Sequence, residues 1–303
     1  MSTFRIISFD GGGVRGALSI RLLLRIIERF PELLGRVQLF TGTSTGSFIA
    51  LGLANNLSPN KIDKLYSYDN AKYIFTPSHA NYIRPKFSNA HLKELLSSVF
   101  SPNLTLAALP RFVFIPTFNV KGYHSKGFNT VYLNNLTSNP TLSEKVLDAA
   151  LYSSAAPTYF PSYNHFIDGG VAMNSPTSAP VIFVRSLFPA KYPLRDFRLL
   201  SIGTGYYPER IEKDTSNWGV VQWTYSPNTQ VKYPLNSILF DAPSELDTRY
   251  SEELLGANFF RLNPHLDRYV ALDDYKQVPY LQQLADEVDL KETFNYISRH
   301  FFN

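Results

Sequence analysis

Twice within its first 55 residues the chain runs from a short apolar segment through a glycine-rich turn directly into a helical pattern, and this repetition constrains the fold more than anything else in the sequence. The first unit is Phe4 to Phe9, then "SFDGGGVRGAL", then "ALSIRLLLRIIERF". In that helix Ile20, Leu23, Leu24 and Ile27 recur at helical spacing, Arg21, Arg25, Glu28 and Arg29 lie mostly opposite, and Pro31 ends the run. The second unit is "VQLFTGTSTGSFIALGLANN". Short strands that each feed a helix in the same direction build a parallel sheet with covering helices, so the expected class is α/β.

The alternation continues downstream. Ser58 and Pro59 form a helix start, "AHLKELLSSVF" reads as a helix, "RFVFIPTF" as a strand, and Thr141 with Glu144 as a capping box before "KVLDAALYSSAA". A strand at "HFIDGG", a helix at "APVIFVRSLF" and a strand at "FRLLSIGTG" follow, then a last strand at "NFFRLNP" and two terminal helices, "YLQQLADEVD" and "LKETFNYISRHFF". Residues 74–89, with two prolines and no period, are expected to be a loop. The stretch 206–251 is rich in Tyr, Trp and Pro and reads as irregular. With no repeat, low-complexity run or linker, residues 1–303 are taken as one domain.

Composition narrows the chemistry. The absence of cysteine removes disulfides, thiol catalysis and cysteine-ligated zinc. A net charge of +4 without a Lys/Arg cluster argues against nucleic acid and mildly favours anionic surfaces. The 19 Tyr and 23 Phe are chiefly core material, with part of them available to a membrane-facing surface. Residues 1–9 are too short and strand-like for a secretory signal, and the longest apolar runs fall far below the ~20 residues of a bilayer span. The expectation is a protein soluble at rest, cytoplasmic or peripheral to a membrane, with export by a non-classical route left open.

Two readings compete for the first turn. As G-x-G-x-x-G through Gly11, Gly13 and Gly16 it is a dinucleotide loop, but Asp10 would repel a pyrophosphate and the second strand ends in Thr41-Gly42-Thr43-Ser44, without the acid that would hold a ribose. As bare backbone beside a nucleophile it is an oxyanion hole. The nucleophile is supplied by Gly42-Thr43-Ser44-Thr45-Gly46, a G-x-S-x-G between strand and helix whose flanking glycines allow a turn tight enough to expose Ser44. Of the late histidines, His265 and His300 sit in no strand-to-helix turn. Asp168, at a strand end before Gly169-Gly170, is the better partner for Ser44, although a turn aspartate capping its own backbone would look the same. A carboxylate is a weak base for an alcohol unless the hydrogen bond is direct and the site excludes water, so the site is expected to be apolar.

Asp10-Gly11-Gly12-Gly13-Val14-Arg15-Gly16, Gly42-Thr43-Ser44-Thr45-Gly46, Ser154-Ala155-Ala156-Pro157-Thr158-Tyr159-Phe160-Pro161 and Asp168-Gly169-Gly170, in this order, resemble the patatin-like phospholipase family. "LLSIGTG", "FFRLNP" and "ALDD" extend the resemblance over nearly the whole chain, weakest at 206–250. It implies a three-layer α/β/α fold with a mainly parallel sheet, Ser44 and Asp168 as a dyad, and the Gly11, Gly12 and Gly13 backbone as oxyanion hole. Arg15 would support that loop or the negative charge, with Gly42 and Gly46 forming the elbow. The implied reaction is hydrolysis of phospholipid or other acyl-lipid esters at a peripheral membrane surface, with no metal or cofactor. Some relatives need a protein or small-molecule activator, and 74–89 or 206–250 would house such control. A soluble serine esterase and a catalytically silent lipid- or partner-binding homologue stay open as alternatives.

Overall fold

The structure, a computed structural model, describes residues 3–77 and 83–303. In chain order it contains β1 (Phe4–Phe9), α1 (Gly16–Arg29), β2 (Leu39–Gly42), α2 (Thr45–Ala54), α3 (Pro59–Asp63), α4 (Tyr68–Ile74) and α5 (Asn89–Ser97). There follow β3 (Phe112–Asn119), β4 (Asn129–Asn134), α6 (Val146–Ser153), β5 (Phe166–Asp168), α7 (Ser178–Leu187) and β6 (Phe197–Ile202). The chain closes with α8 (Val220–Thr224), α9 (Pro234–Leu255), β7 (Phe259–Leu262), α10 (Val278–Glu287) and α11 (Lys291–Tyr296).

The strands form one seven-stranded sheet in the order β4-β3-β2-β1-β6-β7, with β5 also paired to β3. β3, β2, β1, β6 and β7 run parallel, while β4 and β5 are antiparallel to β3. Side chains alternate faces along a strand, and both faces here are apolar. Ile7 and Phe9 of β1, Phe40 of β2 and Ile115 of β3 point into a core shared with α1, α2, α5, α6 and α10. Phe4, Ile6, Leu39 and Phe114, one residue out of phase, point into a second core with Val181 and Val184 of α7. A sheet buried on both faces between helices is the three-layer α/β/α arrangement with a mainly parallel sheet.

Four local expectations need correction. The stretch 206–251 is not irregular throughout: α9 spans 22 residues and continues through Pro243. β4 is not among the expected strands and forms the outer strand of a hairpin with β3. Thr141 is not a helix cap. Asn139 caps a short turn over Pro140–Ser143, α6 begins only at Val146, and the Thr141 hydroxyl donates to Asn134 O at 2.9 Å. The loop expected at 74–89 begins inside α4 and ends at the start of α5, and its residues 78–82 lie outside the described residues. Among the described residues no helix is long and apolar enough to cross a membrane.

α9 turns polar residues inward where it meets α7: buried Asp247 accepts hydrogen bonds from Thr177 N–H at 2.6 Å, Thr177 Oγ1 at 2.8 Å and Ser178 N–H at 3.2 Å, and also from Ser178 Oγ. Ser251 adds a bond to Thr177 Oγ1 at 2.7 Å and Asn174 a bond to Ser244 Oγ at 3.2 Å. These bonds fasten α9 to the N-terminus of α7, where the first N–H groups have no helical partner and favour a carboxylate. Replacing Asp247 by Ala strands those buried donors, each at about 1–3 kcal/mol. We expect Asp247→Ala to lower the denaturant midpoint markedly and Asp247→Asn to lower it less. Equal midpoints for Asp247→Ala and wild type would contradict this anchoring.

Candidate active site

β2 ends at Gly42 and α2 begins at Thr45, so the chain turns within Thr43 and Ser44. Ser44 takes φ 53° and ψ −123°, a backbone state that costs a residue with a Cβ roughly 1–3 kcal/mol and persists only where its surroundings impose it. Here Thr43 N–H donates to Phe9 O at 3.2 Å, and Ser44 N–H donates to Ser153 Oγ at 3.0 Å, whose own hydroxyl donates to Pro116 O at 2.7 Å. Ser47 N–H returns to Ser44 O at 2.9 Å. The approach of α2 to β1 is what demands glycine: a Cβ on Gly46 would lie 2.4 Å from Phe9 O, and one on Gly42 2.3 Å from Gly46 O. All ten residues of α2 are buried, so the positive end of its dipole is poorly screened by water where it meets Ser44.

Asp168 arrives from the neighbouring strands. β3 carries β5 in antiparallel register, with Thr117 opposite Asp168. Asp168 is 2% exposed, and its carboxylate accepts the Gly170 N–H at 2.7 Å, so the local turn role is real. Burial pushes its pKa up to about 7, while hydrogen bonds from the Ser44 hydroxyl and the Gly170 N–H pull it back down. Ser44 and Asp168 are therefore brought together.

The first glycine turn lies against the same serine: a Cβ on Gly11 would be 3.3 Å from Ser44 Cβ. Its donors differ from expectation. Gly11 N–H is already given to Asn174 O at 2.9 Å, so it is not free for an oxyanion. Val14 N–H is spent on Leu272 O at 2.8 Å and Arg15 N–H on Gly12 O at 3.1 Å, whereas the N–H groups of Gly12 and Gly13 make no hydrogen bond among the described residues. Arg15 lines the same cavity, with a buried Nε that has no partner among the described residues. Beneath the loop Asp10 forms a two-pronged ion pair with Arg261, Nη2 to Oδ2 at 2.6 Å and Nη1 to Oδ1 at 3.1 Å, and Arg261 Nη1 also reaches Ser175 and Ser201. The sequence pointed to neither Arg261 nor Asn174; Arg261 stands 251 residues from Asp10.

Ser44, Asp168 and Gly11 to Gly13 open on a cavity of about 990 Å³, the upper range for a small-molecule site. One wall is apolar, with Phe48, Leu92, Leu96 and Phe160. The other is formed by residues 206–211 and by parts of α9 and the segment before it, including Tyr233 and Ile238. Neither His265 nor His300 lines it. A serine at a strained turn, a buried carboxyl and unspent backbone donors around an apolar cavity have the parts required for acyl transfer.

Comparison with known proteins identifies the class as a hydrolase of α/β architecture. The chain belongs to the patatin-like phospholipase family, whose sequence model matches residues 7–181. It is 32% identical to Protein teg of Priestia megaterium, the alignment covering 99% of this chain and 100% of that protein. It is 31% identical to the putative sporulation hydrolase CotR of Bacillus subtilis, covering 99% of each. A cGAMP-activated phospholipase of Escherichia coli is 32% identical over 66% of this chain and 62% of its own length.

Two stability measurements test this geometry. Arg261→Met leaves Asp10 buried and unpaired, which typically costs about 3–5 kcal/mol; Arg261→Lys restores the charge but not the fork and should recover part of the loss. A wild-type denaturation midpoint for Arg261→Met would contradict the anchoring role. For Asp168, the folded pKa of about 7 lies above the ordinary carboxyl value of 3.8. Between those pH values the folded protein keeps a proton that the unfolded chain has lost, so stability from this group falls as pH rises. Asp168→Asn should therefore melt above wild type at pH 8, with the difference closing towards pH 4. An unchanged or inverted difference would contradict the raised pKa.

Proposed function

We propose that the protein is a lipid acyl hydrolase of phospholipase A or lysophospholipase type, with Ser44 as nucleophile and Asp168 as its base. The observation that carries this reading is the Ser44 hydroxyl hydrogen-bonded to a buried carboxyl whose pKa stands near 7, at the wall of a large, partly apolar cavity. A carboxylate of ordinary pKa is too weak a base for an alcohol; one raised towards neutrality is better matched to the transfer while still ionised near physiological pH. Asp168 takes the Ser44 proton as Oγ attacks the ester carbonyl carbon. The developing oxyanion is received by the N–H groups of Gly12 and Gly13, with the α2 dipole behind the serine. Collapse expels the alcohol, which takes the proton from Asp168 and leaves Ser44 acylated. Water, deprotonated by Asp168, then attacks the acyl-enzyme, releasing the fatty acid and returning the proton to Ser44.

Lipid as substrate is supported by the family and by the apolar wall of Phe48, Leu92, Leu96 and Phe160, which suits an acyl chain. The scheme needs no metal or cofactor. Control by a small molecule is a property in the name of the Escherichia coli relative; for this chain, residues 206–250 are the proposed place for any such control, because Tyr206, Tyr207 and Tyr233 form part of the cavity wall.

Fatty-acid release from phospholipid vesicles tests the proposal. Ser44→Ala should lose at least ~1,000-fold in turnover and Asp168→Asn ~100-fold or more. Hydrolysis of short soluble esters with none of aggregated lipid would favour the soluble-esterase reading. A folded wild type inactive on both would favour a silent binding protein.

A further inference from the structure

We propose that the outward face of α8 and the N-terminal half of α9 is a bilayer-docking surface that seats the mouth of the cavity on the lipid from which substrate is drawn. The inference rests on the lipid-hydrolase reading for its purpose and on surface chemistry for its location.

Charged residues make up 18% of the chain, yet residues 215–239 contain only one, Lys232. A run of this length with a single charge is ordinary in a core, but this one lies at the surface. Val220 is 80% and Val221 71% exposed, and Leu235, Ile238 and Leu239 each stay more than two-fifths exposed. At spacings of three and four residues, those last three share one face of α9. The helix is held to the body of the protein further along, where Ser244, Asp247 and Ser251 turn inward to Asn174, Thr177 and Ser178, while its first turns leave Leu235, Ile238 and Leu239 exposed. Soluble proteins rarely leave such a contiguous face uncovered unless something binds there.

What binds is indicated by the residue types and by the place. Both tryptophans of the chain, Trp218 and Trp223, sit in this segment in edge-to-face contact at 5.2 Å, next to the Tyr225–Tyr233 ring pair at 5.4 Å. Trp and Tyr are enriched where protein meets the headgroup layer, because each ring has an apolar body and a polar tip. A protein partner would prefer the same aromatics, but the face is continuous with the cavity entrance: Tyr233, Ser237 and Ile238 line the cavity that Ser44 opens on. A folded partner seated there would cover the entrance. A bilayer seated there would supply it, and acyl chains would pass from lipid to cavity without crossing water. With Lys232 as the one charged residue between positions 215 and 239, the face should bind zwitterionic lipid with little dependence on salt.

The two tryptophans make the test direct, since tryptophan emission, excited selectively over tyrosine, reports this segment and no other part of the chain. The probe is phosphatidylcholine vesicles, plain or brominated in the acyl chains, added to the Ser44→Ala protein so that hydrolysis plays no part. The expected result is a blue shift of emission, quenching by the brominated lipid, and persistence of both in high salt. The double substitution Val220→Asp and Val221→Asp should reduce the vesicle-bound fraction ~10-fold or more. Placed in the active protein, it should leave soluble short-chain ester hydrolysis within about twofold, because neither valine lines the cavity. Leu235→Ser with Leu239→Ser provides a second disruption should the aspartates disturb α8. Vesicle binding without quenching would place docking elsewhere and overturn the proposal. So would an emission shift that follows protein concentration without vesicles, which would assign the face to a second copy, or vesicle hydrolysis by the active protein with tryptophan emission unchanged. Docking with no hydrolysis by the active protein would uphold this surface while refuting the catalytic reading.

Discussion

The close packing of α2 against β1 at Gly46 is the contact on which the candidate site depends. It lets the buried helix start immediately after the strand, and this forces the reversal into Thr43 and Ser44 and leaves Ser44 at a positive φ. Two independent tethers hold that strain: the hydroxyl of Ser153 on α6 and the carbonyl of Phe9 on β1. Because β1 also launches the glycine turn, the same packing brings Gly11 to Gly13 beside the serine. One contact between a helix and a strand thus places the serine and its neighbouring backbone donors together.

The two carboxylates at the site sit in different surroundings, which suits the different roles proposed for them. Asp10 and Asp168 are both almost fully buried. Asp10 has the Arg261 guanidinium against both oxygens, and that pair fastens the base of the glycine turn to β7. Asp168 has only neutral donors, the Ser44 hydroxyl and the Gly170 N–H, so burial dominates and its pKa stands near 7. A structural carboxylate is best locked to a cation; one that must take and return a proton is best left without one. In α9 the two tasks are divided along the helix, Ser244, Asp247 and Ser251 anchoring it while Leu235, Ile238 and Leu239 form an apolar exterior beside the cavity.

The parts legible in the sequence were those whose physics is local. Glycines that allow a tight strand-to-helix turn, and apolar residues at helical spacing behind it, announce themselves over a dozen residues, so β1, α1, β2, α2 and the α/β class were readable. Long-range partners were not. Nothing near Asp10 announces Arg261, and nothing near Gly11 announces that Asn174 takes its N–H and narrows the unspent donors to Gly12 and Gly13. α9 escaped because periodicity is read on the assumption that the apolar stripe faces inward, and here Leu235, Ile238 and Leu239 face out while Asp247 and Ser251 face in; Pro243 hid it further. Likewise Thr141 and Glu144 had the spacing of a capping box, but the hydroxyl was already committed to the β4 carbonyl of Asn134.

The most direct test of the central claim is the pH dependence of covalent labelling of Ser44 by a fluorophosphonate, followed by peptide mass mapping in wild type and in Asp168→Asn. The account predicts a labelling rate that rises with pH through a single ionisation near 7 and is lost, along with that ionisation, in Asp168→Asn. A rate that is flat with pH, or Asp168→Asn protein labelled at Ser44 as fast as wild type, would contradict Asp168 as the base.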